Sequence, residues 1–567
     1  MHRDSNPPQG GHPMPHKAPS SIFSTASPAK TGRFVIGLGL SILSGILLYL
    51  SFPPFDLGYL AWIAFVPVIV AQFIFANTDG QGKLFPALAW AILMGIILLE
   101  TFPLGYLRGD PVGFLPLLGV LIVGGLIFLL GIPNGTVGFH RRTGYRFFLL
   151  FPTVGWVGFE YLRHKAQLGH LWGMLYITQH NNLPLIQLAS LGGVWLVSFI
   201  VILANYALGL AIITYTPSLS QVPSPTSGGG PGRGPGEGRG EGEGPHVKIP
   251  LAVAAAVVLL AHGLGFALLG SQPAMESSLL RVAAVQVGGD LGDFPEVYRL
   301  WWRRDWSGMA RAVLDDLEPL TREAAAQGAK LVVWPEASLW LDPQEHPPTK
   351  ARLVRLVQET GIYLVSAYFI LPDEGNLGWW LGFVPGMRNE ATLISPDGQF
   401  LGVYGQDHPI PFTGEAFITE RTYPTYQTPF GTLATIICYD NVFTDTTRKL
   451  VRKGAQLVAH TTHDFQPMVV YDPLHDVFRA AENRVSIVKA DWRYGSAIID
   501  PYGRVLAASP TDRRAKMVLI ADVPLPSPSG TFYTRTGDWF GLLCFLGMVA
   551  LIGYDFSWKK VYKRRLL

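Results

Sequence analysis

The chain has 567 residues, 49% of them hydrophobic and 15% charged, a balance too apolar for a soluble protein of this length. A net charge of +3, with no basic stripe interleaved with aromatics in its charged region, argues against a nucleic-acid partner. Two cysteines, Cys438 and Cys544, imply no disulfide framework.

Taken in chain order, residues 1–32 are rich in Pro, Ser and His and read as a disordered tail. Runs of ~20 apolar residues can cross a bilayer as helices. They recur at 34–52, 57–76, 84–102, 112–132, 147–161, 193–213, 250–269 and 539–556, which predicts about eight spans. The fifth is the weakest, being short and ending in Glu160, Arg163 and Lys165. The first is long, lacks a small-residue cleavage site and is followed at once by further spans, so it reads as an uncleaved helix. Residues 216–248 are Gly- and Pro-rich and read as a flexible linker. The expected organisation is therefore spans one to six within 33–215, the linker, a seventh span at 249–270, a globular domain at 278–530, an eighth span at 538–557 and a basic tail at 558–567.

Loop charge sets the expected orientation, because Lys and Arg near span ends stay cytoplasmic. Arg3, Lys17, Lys30 and Arg33, then Arg141, Arg142 and Arg146, then Lys559, Lys560, Lys563, Arg564 and Arg565 all fall on one side if the N-terminus is inside. The globular domain is then expected on the outer face.

Within that domain the pattern alternates. Strands are predicted at 280–286, in a run ending at Glu336, and at 362–368, 391–394, 432–437, 457–460, 486–490 and 496–499, with helices at 309–326, 446–453 and 472–483. Such alternation predicts an α/β layered domain. Glu336 closes Ala329-Lys-Leu-Val-Val-Trp-Pro-Glu336, and Cys438 follows the apolar run from Gly431 to Ile437; strand carboxyl ends are where open α/β sheets place their chemistry. A carboxylate and a thiol there suggest a base and a nucleophile. Taken alone, Cys438 reads more readily as an inert buried thiol and Glu336 as an ion-pair partner. Cys544, inside the last apolar run, reads as a small apolar helix residue. His460-Thr-Thr-His463-Asp464 with His475 lacks the spacing of a zinc protease motif, so no metal is expected. His170 and His180, flanking Trp172 and Tyr176, read as interfacial anchors or a lipid portal, and Glu100 as an intramembrane acid.

Five motifs follow one another: Val285-Gln286; Trp334-Pro335-Glu336; Tyr404 through His408-Pro-Ile-Pro411-Phe412-Thr-Gly414-Glu415; Ile437-Cys438-Tyr439-Asp440; and Arg479-Ala-Ala-Glu482. This order resembles the carbon-nitrogen hydrolase (nitrilase) superfamily. With seven preceding spans and Gly537-Asp538-Trp539 entering an eighth, residues 33–557 resemble the bacterial apolipoprotein N-acyltransferase family. The resemblance implies a polytopic α-helical membrane domain joined to an αββα sandwich with a Glu-Lys-Cys triad. It also implies a phospholipid acyl donor, a lipoprotein acceptor, the bacterial cytoplasmic (inner) membrane and no cofactor. Cys438 maps onto the nucleophile and Glu336 onto the base; Glu415 maps onto a second carboxylate that orients the site, and the Tyr439 N–H onto a candidate oxyanion donor.

Four departures cluster at this site. Family members read Tyr-x-Lys-x-His-Leu-Val-Pro-Phe-Gly-Glu, whereas this chain has Gln406 in place of the lysine and Thr413 inserted before Gly414-Glu415. Asp440 replaces a Glu, and an Asn-Asp-x-Trp-Phe-Gly loop is reduced to Thr462-His-Asp-Phe-Gln466. An amide at Gln406 can donate to an oxyanion but brings no charge, giving roughly half the strength of a charge-assisted bond. Three outcomes stay open: a relocated cation, with His408, His463 and Lys489 as candidates; a slower enzyme using another donor; or a degenerate homologue that only binds lipid or lipoprotein. A transporter is disfavoured by the absence of an inverted repeat.

Overall fold

Parallel strands buried on both faces read as continuous apolar runs, and three such strands lie at the heart of each of two sheets. In the first, β1 (Leu279–Gln286), β2 (Leu331–Val333) and β3 (Tyr363–Ile370) run parallel. β4 (Arg388–Ile394) and β5 (Phe400–Gly405) continue that sheet antiparallel. The second is built from β6 (Thr425–Thr428), β7 (Gly431–Ile437), β8 (Leu457–Thr461), β9 (Ser486–Ala490), β10 (Ala497–Ile499) and β11 (Val505–Ala508). β12 (Met517–Pro524) returns to pair antiparallel with β1, giving the orders β12-β1-β2-β3-β4-β5 and β11-β10-β9-β8-β7-β6. The computed structural model describes residues 28–107, 114–132, 135–166, 173–215, 248–270, 279–289, 295–371, 387–410, 422–464, 468–527 and 529–566. Residues 1–27, most of the predicted linker, His170 and Glu415 lie outside these, as does the side chain of Glu100.

Period-two alternation sorts each strand's side chains between two cores. Val282, Ala284, Leu331 and Val333 meet Leu433, Leu457, Val488 and Ile498 between the sheets. On the outer face of the first sheet, Ala283, Val285 and Val332 pack under helices Trp306–Ala326 and Pro347–Thr360. On the outer face of the second, Ile436, Val458, Ile487 and Ile499 pack with Val477 and Phe478 of helix Asp472–Asn483. The result is the αββα sandwich expected. Sequence reading missed β5, β6, β11 and β12, the four edge strands of the two sheets, none of which is buried along its whole length.

Six helical segments among the described residues are long and apolar enough to span a membrane: Pro28–Ser51, Gly58–Phe75, Asp79–Leu99, Val194–Tyr215, Leu251–Gly270 and Trp539–Ser557. The predicted fourth and fifth spans correspond to helices Phe114–Leu129 and Leu150–Lys165, of 16 residues each. At 1.5 Å per residue these reach about 24 Å, short of a ~30 Å hydrocarbon core. The second of the pair is enclosed by protein: Phe151 through Glu160 are buried. A β-carbon on Gly158 would come within 2.9 Å of the Phe545 backbone, so this glycine permits a close helix crossing.

The membrane helices and the sandwich share one core, which runs from Val194 and Ile186 to Val477 and Phe478. Polar contacts lock the joint. Glu482 accepts from the Val194 N–H at 3.0 Å, Gln187 donates to the Tyr502 carbonyl at 2.9 Å, and Tyr471 donates to the Pro53 carbonyl at 3.0 Å. Asp538 accepts from Lys165, Trp195 and Tyr533 at 2.8, 2.9 and 2.8 Å. These contacts fix the sandwich against the membrane helices.

Candidate active site

The chain leaving β2 and the chain leaving β7 each pass through a left-handed residue. Beyond β2, after Trp334 and Pro335, come Glu336 and Ala337, the latter at φ +52°; immediately after β7 comes Cys438 at φ +46°. Left-handed backbone at a non-glycine residue costs of order 1–3 kcal/mol and concentrates where a side chain must be presented. Here it turns Cys438 out of the strand into a single 3-10 turn, Cys438–Val442, and brings its thiol into hydrogen-bonding contact with the Glu336 carboxylate.

Glu336 is 3% exposed and Cys438 8%. Burial pushes the Glu336 carboxyl up to about 7, against the opposing influence of the Asn389 hydrogen bond, the charge of His463 and the Cys438 contact. Its backbone is fixed on both sides: the Trp492 indole donates to its carbonyl at 2.6 Å, and its N–H donates to Thr462 at 3.3 Å. A carboxyl that titrates near neutrality is well matched to proton transfer.

Gln406 reaches the same spot. Asn389 Nδ2 donates to Glu336 Oε1 at 2.6 Å and to Gln406 Oε1 at 3.2 Å, so one amide orients both side chains. Gln406 Nε2 is buried and has no hydrogen-bond partner among the described residues. An unpaired buried donor is costly, and this one lies beside Glu336 through their shared partner Asn389. Sequence reading missed Asn389; its only sequence signal is a polar residue at the start of the apolar strand β4.

Asp440 fastens the turn after β7. It accepts from Tyr404 at 2.6 Å, from the His408 N–H at 2.8 Å and from the Ile437 N–H at 3.0 Å. Burial raises its carboxyl to about 6 despite the His408 charge and these donors. Tyr439 directly follows Cys438 and packs with Ile410 against Cys438, Tyr404 and Ile437.

Beneath Cys438, His460 on β8 is fully buried. Its Nδ1 lies 2.8 Å from Asp476 Oδ2 and its Nε2 3.1 Å from the Cys438 carbonyl oxygen. Burial opposes its charge, but Asp476 overrides this and pushes the imidazole up to about 9.

The three predicted replacement cations separate clearly. Lys489 is locked in a cage of carboxylates, 2.8 Å from Asp464, 3.3 Å from Asp472 and 3.8 Å from Asp491. His408 stacks on Phe443 with centroids 3.6 Å apart and faces Asp445 at 3.2 Å. His463 sits against Trp492, and its charge acts on Glu336. The histidine-rich segment does not converge as a trio: His475 instead meets Tyr176 at 3.1 Å. Beside His460, Asp472 is matched by Lys489 and Asp476 by His460 itself, and Asp407 and Asp445 beside His408 are matched by Lys449. Each cluster therefore carries its own cation.

Comparison with known proteins agrees with this architecture. The carbon-nitrogen hydrolase family matches residues 281–529, and the apolipoprotein N-acyltransferase N-terminal domain matches residues 44–207. An apolipoprotein N-acyltransferase of Geobacter metallireducens is 26% identical, the match covering 92% of this chain and 96% of the relative. One from Gloeobacter violaceus is 25% identical over 92% and 95%. A nitrilase of Pyrococcus abyssi is 29% identical, over 34% of this chain and 73% of its own length. The two domain matches in tandem, on a membrane helix bundle fused to an αββα sandwich, identify the chain as a member of the apolipoprotein N-acyltransferase family within the carbon-nitrogen hydrolase superfamily.

Proposed function

We propose that the protein is a cytoplasmic-membrane N-acyltransferase whose hydrolase domain lies on the outer face, with Cys438 as nucleophile and Glu336 as general base. The observation that carries this reading is the buried thiol–carboxylate contact at the ends of β7 and β2, on a domain whose core is continuous with the membrane helices. Glu336 takes the Cys438 proton, and Sγ attacks the ester carbonyl of a phospholipid. The C–S bond forms, the ester C–O bond breaks, and Glu336 returns the proton to the departing lysophospholipid oxygen. In the second half, the N-terminal amine of a lipoprotein attacks the thioester. The N–C bond forms, C–S breaks, and Glu336 passes the amine proton back to the thiolate. Gln406 Nε2 and the N–H of Tyr439 are assigned to the oxyanion; removing one such donor typically costs ~10²–10³ in rate. Incubation of the purified protein with phospholipid and a diacylated lipopeptide is expected to yield an N-acylated lipopeptide by mass spectrometry. Lysophospholipid release without that product, or no turnover at all, contradicts the assignment.

A further inference from the structure

The family places a lysine charge beside the nucleophile, and this chain has the neutral Gln406 there. We propose that the buried pair Asp476–His460 supplies the replacement: His460, held as an imidazolium, is a positioning residue whose charge, hydrogen-bonded to the Cys438 carbonyl, favours the thiolate. The inference rests on the thiol chemistry assigned to Cys438 above.

The protonation state follows from geometry. One ring nitrogen faces a carboxylate oxygen at 2.8 Å and the other a backbone carbonyl oxygen at 3.1 Å. Both carry lone pairs only, so both nitrogens must donate, which a neutral imidazole cannot do. The ring is fully buried on β8, the neighbour of β7, so solvent does not screen it. The direction of the pair matters as well: its positive end touches the nucleophile residue, and its negative end lies on helix Asp472–Asn483. The charged groups facing His460 are Asp476 and Asp472 on that helix, Lys489 on β9 and Asp464 after β8. Lys489 is committed to Asp464, Asp472 and Asp491, which leaves the imidazolium as the cation bonded to the Cys438 backbone.

Asp476→Asn separates charge from structure. The asparagine amide can donate to Nδ1 while Nε2–H still donates to Cys438, so both hydrogen bonds persist and the ring becomes neutral. The readout is the rate of iodoacetamide alkylation at Cys438 against pH, in a Cys544→Ala background so that one thiol remains. The apparent thiol pKa is expected to rise by about one unit and the pH 7 rate to fall about tenfold. The doubly neutral pair His460→Gln/Asp476→Asn should show the same displacement, and covers the case in which Asp476→Asn alone fails to fold. An alkylation profile that superimposes on the parent in either folded variant overturns the proposal. Because alkylation needs no acyl donor, that result is distinct from failure of the parent to transfer an acyl chain.

Discussion

At the scale of single residues, the environment of Glu336 opposes its solution chemistry. Glu336 binds its proton more tightly when folded than when unfolded, about 7 against 4.5. Between those values the folded state holds a proton the unfolded chain has lost, so this residue's contribution to stability falls as pH rises from about 4.5 to about 7 and is level beyond. Glu336→Gln is therefore expected to raise stability at pH 8 by about 3 kcal/mol and to leave it unchanged near pH 4. Thermal melts of the two proteins at both pH values check this, and equal melting temperatures at pH 8 contradict it. The same substitution should abolish acyl transfer, as should Cys438→Ala. Full activity in the alanine variant would remove Cys438 from the mechanism. In the parent, the acylation rate should rise with pH through about 7 as the carboxyl ionises, and a flat profile from pH 5 to 8 would exclude Glu336 as the base.

At the scale of elements, the turn after β7 departs from the family in sequence yet is fastened by three hydrogen bonds to Asp440. Asp440 satisfies donors from β5, the segment after β5 and β7 itself. Asp440→Ala strands three donors, two of them buried, and should cost about 3 kcal/mol or more, with a matching slowing of Cys438 alkylation. A change below 0.5 kcal/mol in denaturant unfolding would mean the turn is held by its apolar contacts instead. Glu336 and Cys438 were legible in the sequence because each sits at the end of an apolar run, and their place in the motif order reversed the blander readings. Asn389, Trp492 and the His460–Asp476 pair were not legible as site residues. They come from β4, the segment after β9, β8 and a helix, and only the pairing of strands far apart in sequence gathers them. Asp440 was legible as a position, but its three bonds depend on how β5 returns across the sheet.

At the scale of the whole molecule, the sandwich is not a separable attachment. Arg479 and Glu482 are fully buried, 3.0 Å apart, at the joint where Glu482 also accepts from Val194. Arg479→Ala leaves a buried carboxylate without its cation, a loss typically of ~3–5 kcal/mol. It should lower the melting temperature of the detergent-solubilised protein, and an unchanged melt would show that the joint rests on apolar packing. The positions of the membrane helices were readable from apolar runs, but span lengths were not, because a helix enclosed by its neighbours need not match the bilayer. Function at this scale depends on whether a thiol without the family lysine still forms a thioester. That step is tested most directly by the mass of the Cys438 peptide after incubation with phospholipid, with and without hydroxylamine. The account predicts a fatty-acyl adduct on Cys438 that hydroxylamine removes; an unmodified thiol under both conditions would contradict it and mark the protein as a lipid- or lipoprotein-binding homologue.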